Sequence, residues 1–576
     1  VSTGQKTQHA AVAIVGGGPV GMMLALFLDH HGVPVVLFNS ERNTRWHPKG
    51  NTHNSRTMEH YRRLGLAEAI RRLGLPLDHP RDVAYFTRLN AWELARLDMP
   101  SERERMAAAR SAEDTDQVPE PLLRANQMYV ERFLLEHIRT RPNIQLRFGW
   151  RVSGFEQDAD GVRLIAVESA SGEAIEHWTA DYLVGCDGGQ SFVRRTLGIG
   201  YLGPDGSSGG FLSGRMFSSH VRIPALHRDI LAGRKAWMYN VVAPDARMLL
   251  ISLDGEDEFL LMTQARSHDE MPQDDRVIAA IRQGIGAEVG VEVLAHAVWH
   301  GGLALVAERF SDRRVFLAGD ATHLFSPTGG FGMNTGIDGA ANLAWKLAAA
   351  VQGWAGEGLL ASYEAERRPV TLRNTEAARQ LTQRVGKVEV PAAVEARGTE
   401  GERARARLSV SLRGFRGQFT SIGVELGARY DGSPIVWPQG QPPEDDPLHY
   451  RPSTVPGGRL PHLWLPAGEG SRRSVFDLLG SGFTLLRNGP DAPSVERLRD
   501  AAAARGIPLT VVELPASARD CYRCGLLLVR PDQHIGWRGD AVPEDAGAVL
   551  EKLVGHGCAV SPKDGQALGS VLGAVG

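Results

Sequence analysis

"AVAIVGGGPVGMMLALFLDHHGVPVVLFN", residues Ala11 to Asn39, decides the fold. Ala11 to Val15 is a continuous apolar run, the pattern of a parallel strand buried on both faces. Met22 to His30 repeats apolar residues at helical spacing, Gly32 ends that helix, and Val35 to Phe38 is a second strand. Strand, glycine turn, helix and strand within about 30 residues make a βαβ unit. Its turn carries Gly16, Gly18 and Gly21 at the spacing G-x-G-x-x-G, with Pro19 and Val20 inside the pattern. The first glycine admits a tight turn. The second lets the backbone approach a pyrophosphate, whose charge faces the helix N-terminus, and the third lets helix and strand pack closely. The pattern in this context implies a bound dinucleotide. The acid expected after the second strand to hold a ribose is replaced by Asn39, which accepts a hydroxyl bond without a charge, and Glu41 reads as exposed. There is one such fingerprint, so the dinucleotide reads as a resident cofactor rather than NAD.

At 576 residues the chain is too long for one hydrophobic core, and length alone suggests three or four domains. The net charge of −3, without a basic stripe, argues against nucleic acid or an anionic membrane as partner. The Gly-Gly-Gly-Pro sequence interrupts the N-terminal apolar run and argues against a membrane span; no charged leader with a cleavage site precedes it, so the expected location is the cytoplasm. Four cysteines, Cys186, Cys521, Cys524 and Cys558, are too few for a disulfide scaffold. No metal site is expected.

Beyond the first unit, "MYVERFLLEHIRT" (Met128 to Thr140) is an amphipathic helix, and "DYLVGCDGGQSFVRRTLG" (Asp181 to Gly198) is a strand, glycine turn and helix. From about 211 to 310, alternating segments such as "MLLISLDG" and "EFLLMTQ" predict an antiparallel sheet. "RVFLAGD" (Arg314 to Asp320) restores the apolar strand and glycine turn, so the nucleotide fold is discontinuous with a sheet domain inserted. Residues 397–409, "RGTEGERARARLS", read as a linker or an exposed helix. After them "GFTLLRNG", "IPLTVVEL" and "GLLLVRPDQHIGWRG" are strands, and "SVERLRDAAAARG" is a helix, of a second α/β domain.

"GDATHLFSPTGGFGMN", Gly319 to Asn334, concentrates four glycines before a helix whose Ile337, Ala340, Ala341, Ala344, Leu347, Ala348 and Val351 share one face. Near Asn334 that helix offers free backbone N–H groups and a partial positive charge. Taken with "GGGPVG" and "GCDGGQSFVRRTLGI", in this order, the segment "RVFLAGDATHLFSPTGGFGMNTGIDGAANLAWKL" resembles the FAD-dependent aromatic hydroxylases of the p-hydroxybenzoate hydroxylase type. "HPKGNTHNSRTMEHYRRLGL" is similar to the segment that precedes the family's substrate domain. "PGGRLPHLWL" and "DLLGSGFTLL" resemble the thioredoxin-like extension of the larger phenol hydroxylases, of the 2-hydroxybiphenyl 3-monooxygenase and 2,4-dichlorophenol 6-monooxygenase kind.

The resemblance implies an α/β chain. A discontinuous Rossmann-like FAD-binding domain would span 1–75, 123–200 and 305–396. An inserted antiparallel-sheet substrate domain would span 76–122 and 201–304, and 397–576 would hold a linker and a C-terminal thioredoxin-like domain. It implies non-covalent FAD held by Gly16, Gly18, Pro19, Val20, Gly21 and Asn39, by Gly319 and Asp320 at the ribityl chain, and by Pro327 and a loop from Gly329 that includes Gly330, Gly332, Met333 and Asn334. Lys49, beside Gly50, takes the place of a flavin-contacting Arg. Gln127 matches a family Gln, Val152 joins the set, and Asp187 with Gly188 borders the nicotinamide path. Arg56 falls on the family Arg of "RTME"; its other reading is a structural ion pair. Where relatives carry Asp, this chain has Gly339 with Asp338 one place earlier, which points to altered helix capping or interdomain bonding.

The implied reaction passes a hydride from NADH or NADPH to FAD, forms a flavin C4a-hydroperoxide with O2, and hydroxylates a phenolic or other electron-rich ring. A phenol near pKa 10 must lose its proton. The candidates are Tyr239, read as sharing a strand face with Trp237, and His53 and Asn51 in the flavin-facing loop; Arg215 and His300 are weaker. Each also reads as an ordinary packing or surface residue, and a His stands at Asn51 in the 2-hydroxybiphenyl enzyme's pattern. No basic cluster marks a carboxylate clamp, which favours a neutral phenol or polyketide-like aromatic, and a homodimer is expected. Baeyer–Villiger insertion or reduction of an isoprenoid double bond on the same fold, and a flavoprotein that binds FAD without turnover, stay open; the W-x-W-x-I-P stretch of halogenases is absent. Cys521 and Cys524 have redox spacing but precede a late strand pair instead of opening a helix, so disulfide exchange is not expected.

Overall fold

The structure, a computed structural model, describes residues 7–204, 214–224, 226–265, 270–386, 388–468 and 470–557; Cys558 lies outside them. Val12, Ala13 and Ile14 are fully buried at the centre of a sheet, the reason the run is apolar at every position. Their strand β1 (Gln8–Val15) pairs in parallel with β2 (Val35–Asn39) on one side and with β3 (Ile175–Gly185) on the other. Ile144–Phe148 extends the sheet beyond β2, and Val315–Leu317 extends it beyond β3, both in parallel. α1 (Pro19–His30) packs so closely that a Cβ at Gly21 would collide with the carbonyl oxygen of Gly16. The glycine turns after β1, β3 and Val315–Leu317 therefore emerge at the same edge. Backbone bonds from Gly16 to Phe38 (2.8 Å), Cys186 to Val15 (2.7 Å) and Ala318 to Gly185 (2.9 Å) fix them there. This is the carboxyl end of a parallel sheet, where α/β folds bind ligands.

The inserted sheet runs in the order Glu292–Gly301, Gly214–Arg222, Glu258–Gln264, Arg247–Ser252, β4 (Met238–Val242), Val83–Phe86 and Glu93–Leu97. Neighbours are antiparallel except β4 with Val83–Phe86, which run parallel. Tyr239 and Val241 point into a core with Phe86, Leu226 and Phe259. Trp237 packs on the opposite side, in a different cluster. The expected shared face fails because Trp237 and Met238 both donate their backbone N–H to the Asp82 carbonyl, at 3.0 and 3.2 Å, and the strand starts only at Met238. Alternation applies only within a regular strand.

α2 (Phe331–Gln352) follows the long glycine loop. The expected apolar face is buried in the nucleotide domain. The rest of the helix is covered too, because Trp345 and Ala349 pack against Phe483, Leu485 and Leu526 of the C-terminal domain. That domain has a four-stranded sheet, ordered Leu509–Leu514, Phe483–Asn488, Leu526–Val529 and Ile535–Gly539. Buried charges join it to the nucleotide domain: Glu366 receives Lys346 at 2.6 Å and Arg530 at 2.5 Å.

Of the two readings of 397–409, the helix holds and the linker does not; its polar side is exposed, but one stripe is buried. The helix is α3 (Thr399–Arg413), whose Leu408 and Leu412 are buried against the inserted sheet; its arginines mask the apolar stripe in the sequence. Cys521 ends a short helix, and Cys524 is buried with its thiol pushed up to about 11 by burial, away from an activated thiol. No helix among the described residues is long and apolar enough to cross a membrane.

Candidate active site

Two cavities meet where the domains meet. The first, about 610 Å³, lies against the three glycine turns. The second, about 580 Å³ and mainly apolar, lies between the inserted sheet and the glycine loop. Lys49, Gly50, Asn51, Thr52, Asp320, Pro327 and Gly330 line both.

The first cavity gathers much of the expected cofactor set: Gly16, Gly18, Pro19, Val20, Asn39, Gln127, Val152, Asp187, Gly188, Gly332 and Met333, besides the shared residues. Its shape fits a dinucleotide. α1 has no side-chain cap at its N-terminus, so its first-turn N–H groups are left for an anion, and a Cβ added at Gly18 would meet nothing within 4 Å. The Asp320 carboxyl is surrounded by protein yet open to the cavity. It has no hydrogen-bond partner among the described residues, and burial pushes its pKa up. A hydroxyl-bearing chain beside it would supply the missing bonds. Gly329 and Gly330 turn the loop with φ of 84° and 68°, which glycine alone adopts freely.

Several expected contacts are spent within the protein. Asn39 accepts the Gly17 N–H at 3.1 Å, and so braces the loop from the ribose side. Asp187 accepts the Ser191 hydroxyl and the Val193 N–H, capping the next helical turn. Gly21 and Gly319 pack against Gly16 and Val20 respectively and line neither cavity. Asn334 also misses both: it accepts the Asn54 N–H at 3.0 Å and donates to the carbonyls of Thr52 and Gly330, clipping the glycine loop to the segment that carries Lys49 to Asn51. Arg56 is a structural ion pair. It is buried between Glu59 and Asp338 and bonds Gln533 of the C-terminal domain at 2.6 Å. Asp338, displaced by one place from the family pattern, also takes Arg367 and His60, both of the nucleotide domain, and reaches the C-terminal domain only through Arg56.

The deprotonation candidates divide sharply. Tyr239 is buried with its hydroxyl at 3.1 Å from His227 Nε2 and 2.8 Å from the Ala236 N–H, and burial pushes its pKa up. His53 is buried against the Tyr61 hydroxyl, and burial lowers it to about 4. Neither lines a cavity. Asn51 does, with its amide oxygen held by Asn126 at 2.7 Å and its amide nitrogen donating to the Lys49 carbonyl at 3.1 Å. Arg215, bonded to the Glu270 carbonyl, and exposed His300 lie outside both cavities.

Away from the shared wall, the second cavity is lined by residues the motifs do not mark. Met238 and Asn240 present the outer face of β4, and Tyr85 and Trp299 come from its sheet. Arg124 lies over Trp237, its Cζ 3.9 Å from the ring centroid. Leu412, Phe415, Gln418, Phe419 and Glu425 close it from α3 and the chain after it. Glu425 accepts the Ser55 N–H at 2.9 Å, and burial pushes its carboxyl up. His47 bonds the Ser218 hydroxyl at 2.8 Å and is lowered to about 4 by burial. Basic side chains thus do reach the cavity: Arg45, His47 and Lys49 from one segment, and Arg124 and Arg247 from distant ones.

Residues 9–378 match the model of an FAD binding domain family, and 453–557 match that of the aromatic-ring hydroxylase C-terminal family. Among curated relatives, the FAD-dependent monooxygenase apdD of Emericella nidulans is 34% identical, the match covering 96% of this chain and 91% of that one. Phenol 2-monooxygenase of a Pseudomonas species is 29% identical, over 96% and 93%. Among solved structures, RebC with bound 7-carboxy-K252c is 36% identical with a TM-score of 0.85, over 96% of this chain and all of that one.

Proposed function

The chain belongs to the FAD-dependent aromatic-ring hydroxylases, and from that premise we propose that it hydroxylates a phenolic substrate of more than one ring, using O2 and NADH or NADPH. The observation that carries this reading is the pair of cavities with one common wall at Lys49 to Thr52, Asp320, Pro327 and Gly330. A volume of about 580 Å³ exceeds what one benzene ring fills and lies in the range of drug-sized ligands. The relatives named above include a phenol 2-monooxygenase and a structure with bound 7-carboxy-K252c.

FAD fits the first cavity. Gly16 to Val20 and the N-terminus of α1 would hold its pyrophosphate, Asp320 its ribityl chain, and Lys49, Gly330, Gly332 and Met333 its ring. Bound and reduced, FAD supplies the activation of O2 for transfer of one oxygen atom to the substrate ring. The protein's part is placement and exclusion. Phe415 and Phe419 cover the second cavity and keep water from it, while Met238, Trp237 and Trp299 present apolar faces to an aromatic ring. Asn51, anchored through Asn126 and Lys49, fixes the shape of the opening between the two spaces. Oxidation of NAD(P)H in air, with and without a panel of one-ring and fused-ring phenols, tests the reading. Substrate-stimulated oxidation with a hydroxylated product is expected. Ketone insertion, or FAD retention without turnover on any phenol, would replace it.

A further inference from the structure

Of the arginines that line the second cavity, Arg45 and Arg247 are exposed and Arg124 is buried, 4% accessible. Arg124 sits on the two-residue strand Leu123–Arg124, which pairs with Thr52–His53. Its Nη1 donates to the Thr52 hydroxyl, Nε is buried without a partner, and among the described residues Arg124 makes no other side-chain hydrogen bond and no ion pair. The nearby charges do not neutralise it. Arg105 and Arg81 repel it, and the attraction of Glu425 is the smallest of these influences. Glu425 is itself occupied by the Ser55 N–H. Trp237 beneath the guanidinium offers a favourable π face but no negative charge.

A buried cation without a counter-ion is a costly arrangement, one that an anionic ligand relieves. We propose that Arg124 is an oxyanion-binding residue of the substrate cavity, taking an ionised oxygen, phenolate or carboxylate, of the aromatic substrate. This rests on the reading of the second cavity as the substrate site. Its consequence for a phenol is direct. An opposite charge within about 4–6 Å lowers an acid's pKa by roughly 1–3 units, which brings a phenol of about 10 toward neutrality. The proton is released to bulk water as the substrate binds, so no side-chain base is needed, in keeping with the walling-off of His53 and Tyr239. Because Thr52 lines both cavities, the ionised oxygen is held at their junction, with the ring carbons beside it next to the flavin space.

Equilibrium dialysis of the FAD-loaded protein at neutral pH with 2-naphthol, 2-naphthoate and 2-naphthylmethanol tests this without turnover. At least one acidic probe should be favoured as its anion: 2-naphthoate, ionised at neutral pH, by binding about 10-fold tighter than the neutral alcohol, or 2-naphthol by a bound pKa at least about one unit below its free value, read from the naphtholate band as pH is raised from about 7 to 9. A preference for naphthol, with the naphtholate absorption band appearing on binding, identifies a phenolate site; a preference for naphthoate identifies a carboxylate site. Arg124→Met should erase the preference, and Arg124→Lys, which keeps the charge, should retain part of it. No preference in the native protein, an undiminished preference in Arg124→Met, or an equal loss for all three probes in both variants overturns the proposal. FAD content and NAD(P)H-driven flavin reduction, measured on the same samples, report separately on the functional reading.

Discussion

The two cavities touch, yet they are built by different means. The nucleotide cavity is framed by backbone, with glycine turns at the ends of adjacent parallel strands and a bare helix N-terminus, and side chains such as Asp320 and Gln127 complete it. The substrate cavity is made of side chains from at least five separated segments, from His47 to Glu425. Gly16 and Gly21 tolerate no side chain, because a Cβ there would collide with a carbonyl, which no side-chain rotation relieves, whereas Gly18 has open space. A side-chain site can be remodelled residue by residue without losing the fold. The contrast says where change abolishes the enzyme and where it redirects it.

Breaking the first site should have the largest effect. Gly21→Val drives a side chain into the Gly16 carbonyl and should cost upward of about 3 kcal/mol, beyond ordinary overpacking; thermal melting of the FAD-free protein checks it. Asp320→Ala should leave that melting temperature unchanged and raise the FAD Kd about 10- to 100-fold, the loss of roughly 1–3 kcal/mol of hydrogen bonding. If flavin affinity survives, Asp320 does not contact the cofactor. Phe419→Ala, which removes a ring lying edge-on to Trp237 at 6.3 Å, should weaken aromatic substrate binding by up to about 10-fold at constant FAD content. Equal substrate affinity would show that the wall after α3 is dispensable. Tyr239→Phe should cost about 1 kcal/mol of stability for the lost hydroxyl bonds and leave kcat/KM unchanged. The smallest effect is expected from joint Cys521→Ser and Cys524→Ser replacement, with product formed per NAD(P)H unaltered; lost turnover at full stability and flavin content would restore a redox role.

The same contrast explains what the sequence reveals. Gly16, Gly18 and Asp320 are legible because a glycine turn after an apolar run leaves few alternatives for the backbone. Asn334 and Arg56 stand in motif positions too, but their side chains turn to protein partners that one-dimensional spacing does not identify. Tyr239 is misread for a local reason, a strand that begins one residue late. Phe415, Phe419 and Glu425 leave no periodic signal, and the arginines of α3 disguise its buried stripe. Arg124 acquires its meaning only when Trp237, more than a hundred residues away, comes beneath it.

The parallel pairing of β1 carries a cost in time. Val12 is matched to Tyr182, and Gly185 in turn to Leu317. On a ribosome adding about 5–20 residues per second, β2 follows at once, but the other edge of β1 waits roughly 8 to 35 seconds for β3, and the sheet is completed only after the whole inserted domain has been made. During that interval the buried strand β1 has an unpaired edge. Chaperone occupancy on nascent chains should therefore begin with the first βαβ unit and persist until residues near 317 have emerged, and truncations ending before them should aggregate.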